Sequence, residues 1–192
     1  MNTNLRETGI DILGATPWGM HIYHSYKTQK DLLDILLPYF KAGLENNELC
    51  MWITSQPLEA EDAKLALEKE VKNLDDYIKE KQLMILDYSQ WYFKSGKFEL
   101  NKVLLGAVEK EQEALEKGFD GLRVAGNLSC FQKDDWGDLM CYEREIDINL
   151  NDRQILAICS YPLDKSDMNK LVQVASHHQF GLVKQAGKWI KL

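Results

Sequence analysis

The sequence predicts an α/β fold of three layers: a mostly parallel sheet, helices on both of its faces and a β-hairpin at the C-terminus. Three observations carry this. Short apolar runs of strand length recur, as strands buried on both faces produce. Most are followed by a longer stretch with apolar residues at helical spacing, and strands alternating with helices argue parallel pairing through right-handed crossovers. Two short apolar segments split by Gln185-Ala186-Gly187 close the chain as a hairpin pattern.

Residues 1 to 15 read as a polar lead-in. Pro17 biases Thr16 toward extended backbone, and His21 to Tyr26 is the first strand, inside the aromatic and β-branched stretch Trp18 to Tyr26. Thr28 caps the next helix, with Asp31 completing a weaker capping box. Leu32, Leu33, Ile35, Leu36, Tyr39 and Phe40 give this helix a broad apolar face. Pro38 is expected to kink or restart it, and Gly43 to end it before a turn at Glu45 to Asn47. Leu49 to Thr54 is the second strand. Ser55-Gln56-Pro57 opens a helix from Leu58 to about Val71, and Asn73 caps a short one from Leu74 to Lys81. Leu83 to Asp87 is the third strand, followed by an aromatic loop, Tyr88 to Phe93, closed by Gly96. Phe98 to Lys117 is a long amphipathic helix ended by Gly118. Gly121 to Gly126 is the fourth strand and Asn127 to Phe131 a loop. Asp134 or a neighbour caps a helix through Trp136, Leu139, Met140 and Ile146. Gln154 to Tyr161 is the fifth strand, stopped by Pro162. Asp164 to His178 is the last helix, and Phe180 to Val183 with Trp189 to Leu192 form the hairpin.

A chain of 192 residues suits one domain with a sizeable core. It shows no repeat, low-complexity segment or linker, and it ends right after its last strand, as a domain cut from a longer protein would. The net charge of -7 argues against direct nucleic-acid binding, which needs clustered Lys and Arg. No apolar run approaches the ~20 residues of a membrane span. Met1 to Asp11 is polar and mixed in charge, unlike a signal peptide, so a cytoplasmic protein is expected. Cys50, Cys130, Cys141 and Cys159 are far apart and form no CxxC pair, and we read them as reduced thiols. No nucleotide is expected. Tyr26-Lys27-Thr28-Gln29-Lys30, after the first strand, lacks the glycines that let backbone amides surround phosphates. Lys94 to Lys97 lacks the leading glycine of a P-loop, and GxGxxG is absent.

The residues able to carry chemistry are few. His21 lies in the first strand, Cys50 in the second, Cys159 in the fifth and His178 at the end of the last helix. Imidazole and thiolate are the usual zinc or copper ligands, yet buried cysteines in central strands also serve simply as small hydrophobes. A histidine in a central strand needs hydrogen-bond partners, and a functional pocket supplies them. One of His177 and His178 suits a helix C-terminus as a cation. Cys130 is the best-placed nucleophile for a thiol enzyme, although nothing around it signals activation. Arg123, in an otherwise apolar strand, must be paired if buried. Glu143 and Glu145 are its candidate partners, and we prefer a structural ion pair. Trp18, Trp52, Trp91, Trp136 and the tyrosines line a core or an apolar pocket.

Several stretches together resemble a known family: Trp18-Gly19-x-His21-Ile22; Tyr39 to Glu48 leading into Cys50-x-Trp52-Ile53-Thr54; Trp91-Tyr92 with Gly96-x-Phe98; Gly121-Leu122-Arg123-Val124-Ala125-Gly126; Tyr142-Glu143; Cys159-x-Tyr161; and His178-Gln179. The pattern, from about Thr16 to Leu192, resembles a MEDS domain, the sensory domain of methanogens and methylotrophs named from a dichloromethane-responsive regulator. The resemblance implies a single sensory domain over 1-192 with a RecA/KaiC-type α/β sheet and no working P-loop. It also implies an input module for small hydrocarbon derivatives such as methanol, methylated compounds and halomethanes, placed before a histidine kinase or DNA-binding output module. His21, Cys50, Cys159 and His178 match the family's suspected ligand or metal contacts. One position departs: where the family often has Cys two residues after the first His, this chain has Tyr23.

The expectation is therefore a non-enzymatic sensor that binds a small neutral molecule at the carboxyl edge of the sheet, where open α/β sheets bind ligands. His21, Tyr23, Cys50, Trp52, Trp91, Arg123, Glu143, Cys159, Tyr161 and His178 are the expected ligand contacts. If a transition metal is present, His21, Cys50, Cys159 and His178 are its expected ligands. Two alternatives stand beside it: an enzyme, either a degenerate RecA-like nucleotide-binding protein or a thiol-dependent hydrolase using Cys130 or Cys159, and an interaction module that forms a homodimer through the last helix.

Overall fold

The computed structural model describes residues 5–162 and 168–192. Its centre is a seven-stranded sheet built from β3 (His21–Tyr26), β4 (Leu49–Thr54), β5 (Leu83–Asp87), β6 (Leu122–Asn127), β7 (Ile155–Pro162), β8 (Phe180–Gln185) and β9 (Lys188–Lys191). The spatial order is β5-β4-β6-β7-β3-β8-β9. All neighbours are parallel except the terminal hairpin β8–β9. The residues of β3 and β4 are buried throughout; β4 accordingly reads as a continuous apolar run, whereas β3 also buries His21, His24 and Ser25.

Helices cover both faces. Against one pack α1 (Gln29–Glu45), α2 (Ala60–Glu68) and α3 (Leu74–Lys79), enclosing Ile22, Tyr26, Cys50, Trp52, Ala125 and Ile158. Against the other pack α5 (Leu100–Glu116), α6 (Trp136–Leu150) and α7 (Met168–Ala175), enclosing Tyr23, Met51, Ile53, Ala157, Cys159 and Tyr161. Among the described residues, no helix is long and apolar enough to cross a membrane.

Several local expectations are corrected. The lead-in holds a small antiparallel pair, β1 (Arg6–Glu7) and β2 (Ala15–Thr16). Thr28 and Asp31 form a full capping box, and α1 continues through Pro38 and Gly43 to its C-cap at Asn46. Gly43 is not a terminator. A Cβ there would lie 2.5 Å from Arg123 Cδ and 2.7 Å from Cys50 Sγ, so glycine is what lets the helix approach these two strands. The aromatic loop begins with a short helix, α4 (Tyr88–Trp91), started by a capping box on Asp87. The last helix ends at Ala175, which leaves His177 and His178 in the connection to β8. The predicted start at Asp164 lies outside the described residues.

Candidate functional site

Alternation along the strands sorts the chemistry by face. His21 and Tyr23 point from β3 toward α6 and α7, while Ile22, His24 and Tyr26 point toward α1. In the parallel register, Tyr23 pairs with Cys159 and Ser25 with Tyr161, which brings the Cys159 and Tyr161 side chains beside those of His21 and Tyr23. Above them, α6 buries Leu139, Tyr142, Glu143, Ile146 and Leu150, one stripe at helical spacing with a carboxylate inside it. The connection after α7 supplies His178, stacked on His21 with ring centroids 3.8 Å apart.

Glu143 is at the centre. Its Oε1 accepts a hydrogen bond of 2.6 Å from the Tyr161 hydroxyl. Its Oε2 lies 3.1 Å from His21 Nε2 and 3.3 Å from His178 Nε2, with none of the three side chains exposed by more than 1%. His21 Nε2 also lies 3.3 Å from Cys159 Sγ. Both rings are held from behind: His21 Nδ1 is 2.9 Å from the His177 carbonyl, and His178 Nδ1 is 2.7 Å from the Val174 carbonyl. A carbonyl only accepts, so each Nδ1 carries the proton. Burial and the neighbouring His21 push His178 down to about 3. Burial works against ionising Glu143, but the His21 imidazole, His178 and the Tyr161 hydroxyl outweigh it and hold the carboxyl at about 2. Neither Glu143 Oε2 nor His178 Nε2 has a hydrogen-bond partner among the described residues. The Cys159 thiol is pushed well above its ordinary value by burial and by the Glu143 charge.

One donor atom from each of His21, Glu143, Cys159 and His178 lies within 4.8 Å of every other. Six expected contacts, His21, Tyr23, Glu143, Cys159, Tyr161 and His178, therefore meet on one face. They meet around the start of β3 and the middle of β7, not at the carboxyl edge of the sheet, because α6 and the segment after α7 pack on that face rather than over the strand ends.

Cys50, Trp52 and Arg123 are on the opposite face. The partner of Arg123 is Glu48, not Glu143 or Glu145: its Nε donates to the Glu48 carboxylate, and both side chains are fully buried. Its other nitrogens donate to the carbonyls of Thr8, Tyr39 and Glu7 at 3.1, 2.8 and 2.8 Å. Cys50 neighbours this pair, and burial pushes its thiol up. Trp52 stacks on Phe40 with centroids 4.8 Å apart. Both belong to the core. Cys130, half-buried, is pushed up to about 12 by burial.

Beside the cluster, between α5, α6 and strands β4, β6 and β7, is an apolar cavity of about 270 Å³. Met51, Ile53, Leu104, Val108, Tyr142 and Ile146 line it, Trp91 and Tyr92 border it, and Cys159 joins it to the polar cluster. Asn149 and Arg153 supply its polar rim. Sequence inspection missed this cavity, since its walls have the composition of any core. The buried Glu143 was legible as a carboxylate on the apolar stripe of a helix.

At the turn after β3, where a P-loop would hold phosphate, the amides of Lys27 and Thr28 each donate at 3.0 Å to the protein's own Asp31. Lys184 closes on that carboxylate at 2.8 Å.

A family model described as MEDS, the methanogen/methylotroph, DcmR sensory domain, matches residues 20–179. No curated protein matches the sequence. Among solved structures, a KaiC-like protein from the hyperthermophilic archaeon Pyrococcus horikoshii is similar at 13% identity, with a TM-score of 0.61 over 98% of this chain and 86% of that one. The flagellar accessory protein FlaH from Methanocaldococcus jannaschii is similar at 15% identity, with a TM-score of 0.57 over 94% of this chain and 79% of that one. These likenesses show a RecA/KaiC-like fold.

Proposed function

We propose, since the chain belongs to the MEDS family of sensory domains, that it is a non-enzymatic cytoplasmic sensor whose signal is a small hydrocarbon derivative held in the apolar cavity. The observation that supports this most is the cavity itself, apolar along its walls and bounded at one end by Cys159. Its size speaks to the ligand. An apolar cavity of about 150 Å³ suffices for benzene in another protein. At a ceiling of about 1.5 kcal/mol per heavy atom, methanol could contribute only about 3 kcal/mol, a millimolar dissociation constant or weaker. A cavity of about 270 Å³ suits a derivative with more heavy atoms, such as a halogenated or methylated compound.

Two features argue against catalysis. The Cys159 thiol is buried and held protonated beside a carboxylate, the reverse of the electropositive setting that activates a nucleophile. The amides at the start of α1, the natural place for a phosphate, are taken by Asp31.

The route outward is α7. His178 follows it and is tied to it through the Val174 carbonyl, and Val172 on the same helix is 65% exposed. A ligand pressing on Cys159, which borders the cavity and lies beside His21, would act through the His21–His178 stack to move α7 against an output module, a histidine kinase or DNA-binding domain in cis or in trans, or against the same helix of a homodimer.

The test is thermal melting in a metal chelator with methanol, dichloromethane and toluene at matched concentrations. Binding to the folded state raises Tm by mass action. The expected shift grows with ligand size and disappears in Val108→Trp, which fills the cavity. A flat response to all three ligands would refute the assignment.

A further inference from the structure

We infer that His21, His178, Cys159 and Glu143 form a four-ligand site for a zinc-class divalent transition metal, which clamps α6 and the segment after α7 to the sheet. Glu143 takes the place that Cys50 holds in the set expected from sequence, since Cys50 is on the opposite face.

The donor chemistry fits. Two imidazole nitrogens, a thiolate and a carboxylate oxygen are the ligands zinc uses, and a tetrahedral ion with bonds of about 2.0 to 2.3 Å needs donors roughly 3.5 Å apart. The separations are 3.1 Å for His21 Nε2 to Glu143 Oε2, 3.3 Å for His178 Nε2 to Glu143 Oε2 and 3.3 Å for His21 Nε2 to Cys159 Sγ. All four donors lie within 4.8 Å of one another, so seating the ion needs the close pairs to part and the wider pairs to draw in by small movements.

The orientation fits as well. Each ring donates its Nδ1 proton to a backbone carbonyl, which leaves Nε2 free to ligate, and Tyr161 steadies the second carboxylate oxygen. Metal sites are commonly surrounded by this outer layer of hydrogen bonds. Glu143 Oε2 and His178 Nε2 are buried 3.3 Å apart, and neither has a hydrogen-bond partner among the described residues. A cation answers both at once. Charge also balances: a divalent ion, one thiolate, one carboxylate and two neutral imidazoles sum to zero, with the Cys159 proton released to solvent on binding. Four protein donors close the site, which suits a structural ion. The site stands independently of what fills the cavity, although Cys159 borders both.

The experiment uses the whole chain, reduced and stripped with a chelator, and titrates it anaerobically with cobalt(II) as a spectroscopic stand-in. The expected result is one equivalent bound, with d–d bands of tetrahedral intensity, a thiolate-to-cobalt charge-transfer absorption and displacement by zinc. Cys159→Ser should lose the charge-transfer absorption, Cys50→Ser should keep it, and Glu143→Gln should weaken zinc binding roughly tenfold or more. Folded wild-type protein that takes up no equivalent at micromolar cobalt or zinc would overturn the site. So would an absorption that survives Cys159→Ser or disappears in Cys50→Ser. Because the ligand melts are run in chelator, failure of the metal site and failure of the cavity assignment are told apart.

Discussion

Two charged clusters are buried on opposite faces of the same sheet, and they are built on different principles. On the α1 face, Arg123 meets Glu48 and three backbone carbonyls, while Arg6 adds a second cation at 2.8 Å from the other Glu48 oxygen. On the α6 face, Glu143 meets two imidazoles, a thiol and a tyrosine, and Glu143 Oε2 and His178 Nε2 have no hydrogen-bond partner among the described residues. Burial of charge is tolerated when hydrogen bonds compensate it. The first cluster is complete and ties the lead-in, α1, β4 and β6 together. The second leaves Glu143 Oε2 and His178 Nε2 unpartnered among the described residues, which the proposed metal would satisfy. Completeness, rather than burial, separates the Arg123 pair from the cluster proposed to take a metal.

The sharpest way to break this contrast is to neutralise each carboxylate. Glu48→Gln leaves Arg123 buried without its counter-charge and should cost about 3–5 kcal/mol of unfolding free energy by urea titration. A loss below about 1 kcal/mol would mean the Arg123 cluster is not the structural one.

A buried group of a third kind lies on the α1 face. His24 bonds Ser160 Oγ at 3.0 Å, and burial pushes its pKa down to about 3 although Asp31 and Asp34 pull upward. The unfolded chain takes up this proton near the ordinary value of about 6.5, whereas the folded chain does not. The unfolded state then binds more protons, so stability falls as pH drops from 6.5 toward 3, by about 1.4 kcal/mol per pH unit for one proton. Urea midpoints of His24→Gln should therefore decline less steeply with acid than those of wild type. Parallel slopes would remove His24 as the cause.

The smallest effect is expected at Glu143. In chelator, Glu143→Gln keeps the shape, accepts from Tyr161 and can donate to His178. Its stability should stay within about 1 kcal/mol of wild type. A loss as large as that of Glu48→Gln would make the two clusters alike and end the contrast.

Much of the fold was legible. The apolar runs at Leu49 to Thr54 and Gln154 to Tyr161, the capping box at Thr28 and the hairpin around Ala186-Gly187 are local signals, and local physics reads them. The pair β1–β2 was not legible, because two-residue strands carry no periodicity. Pro38 and Gly43 misled for another reason. The packing of α1 on β4 and β6 outweighs the cost of a proline and a glycine inside it.

The candidate site was legible as a set of residue types and not as a set of neighbours. Sequence alone determined the strands, the helices, the chemistry on offer and the family pattern. It could not decide which cysteine joins the histidines, because that depends on register between strands far apart in the chain. Cys50 pairs with Arg123 in β6, and Arg123 pairs with Leu156 in β7. Leu156 is three residues before Cys159, and alternate residues face opposite sides. Cys50 therefore goes to the α1 face with Arg123, while Cys159 goes to the α6 face with His21. Only tertiary pairing sets that parity, and with it which residues can share a ligand.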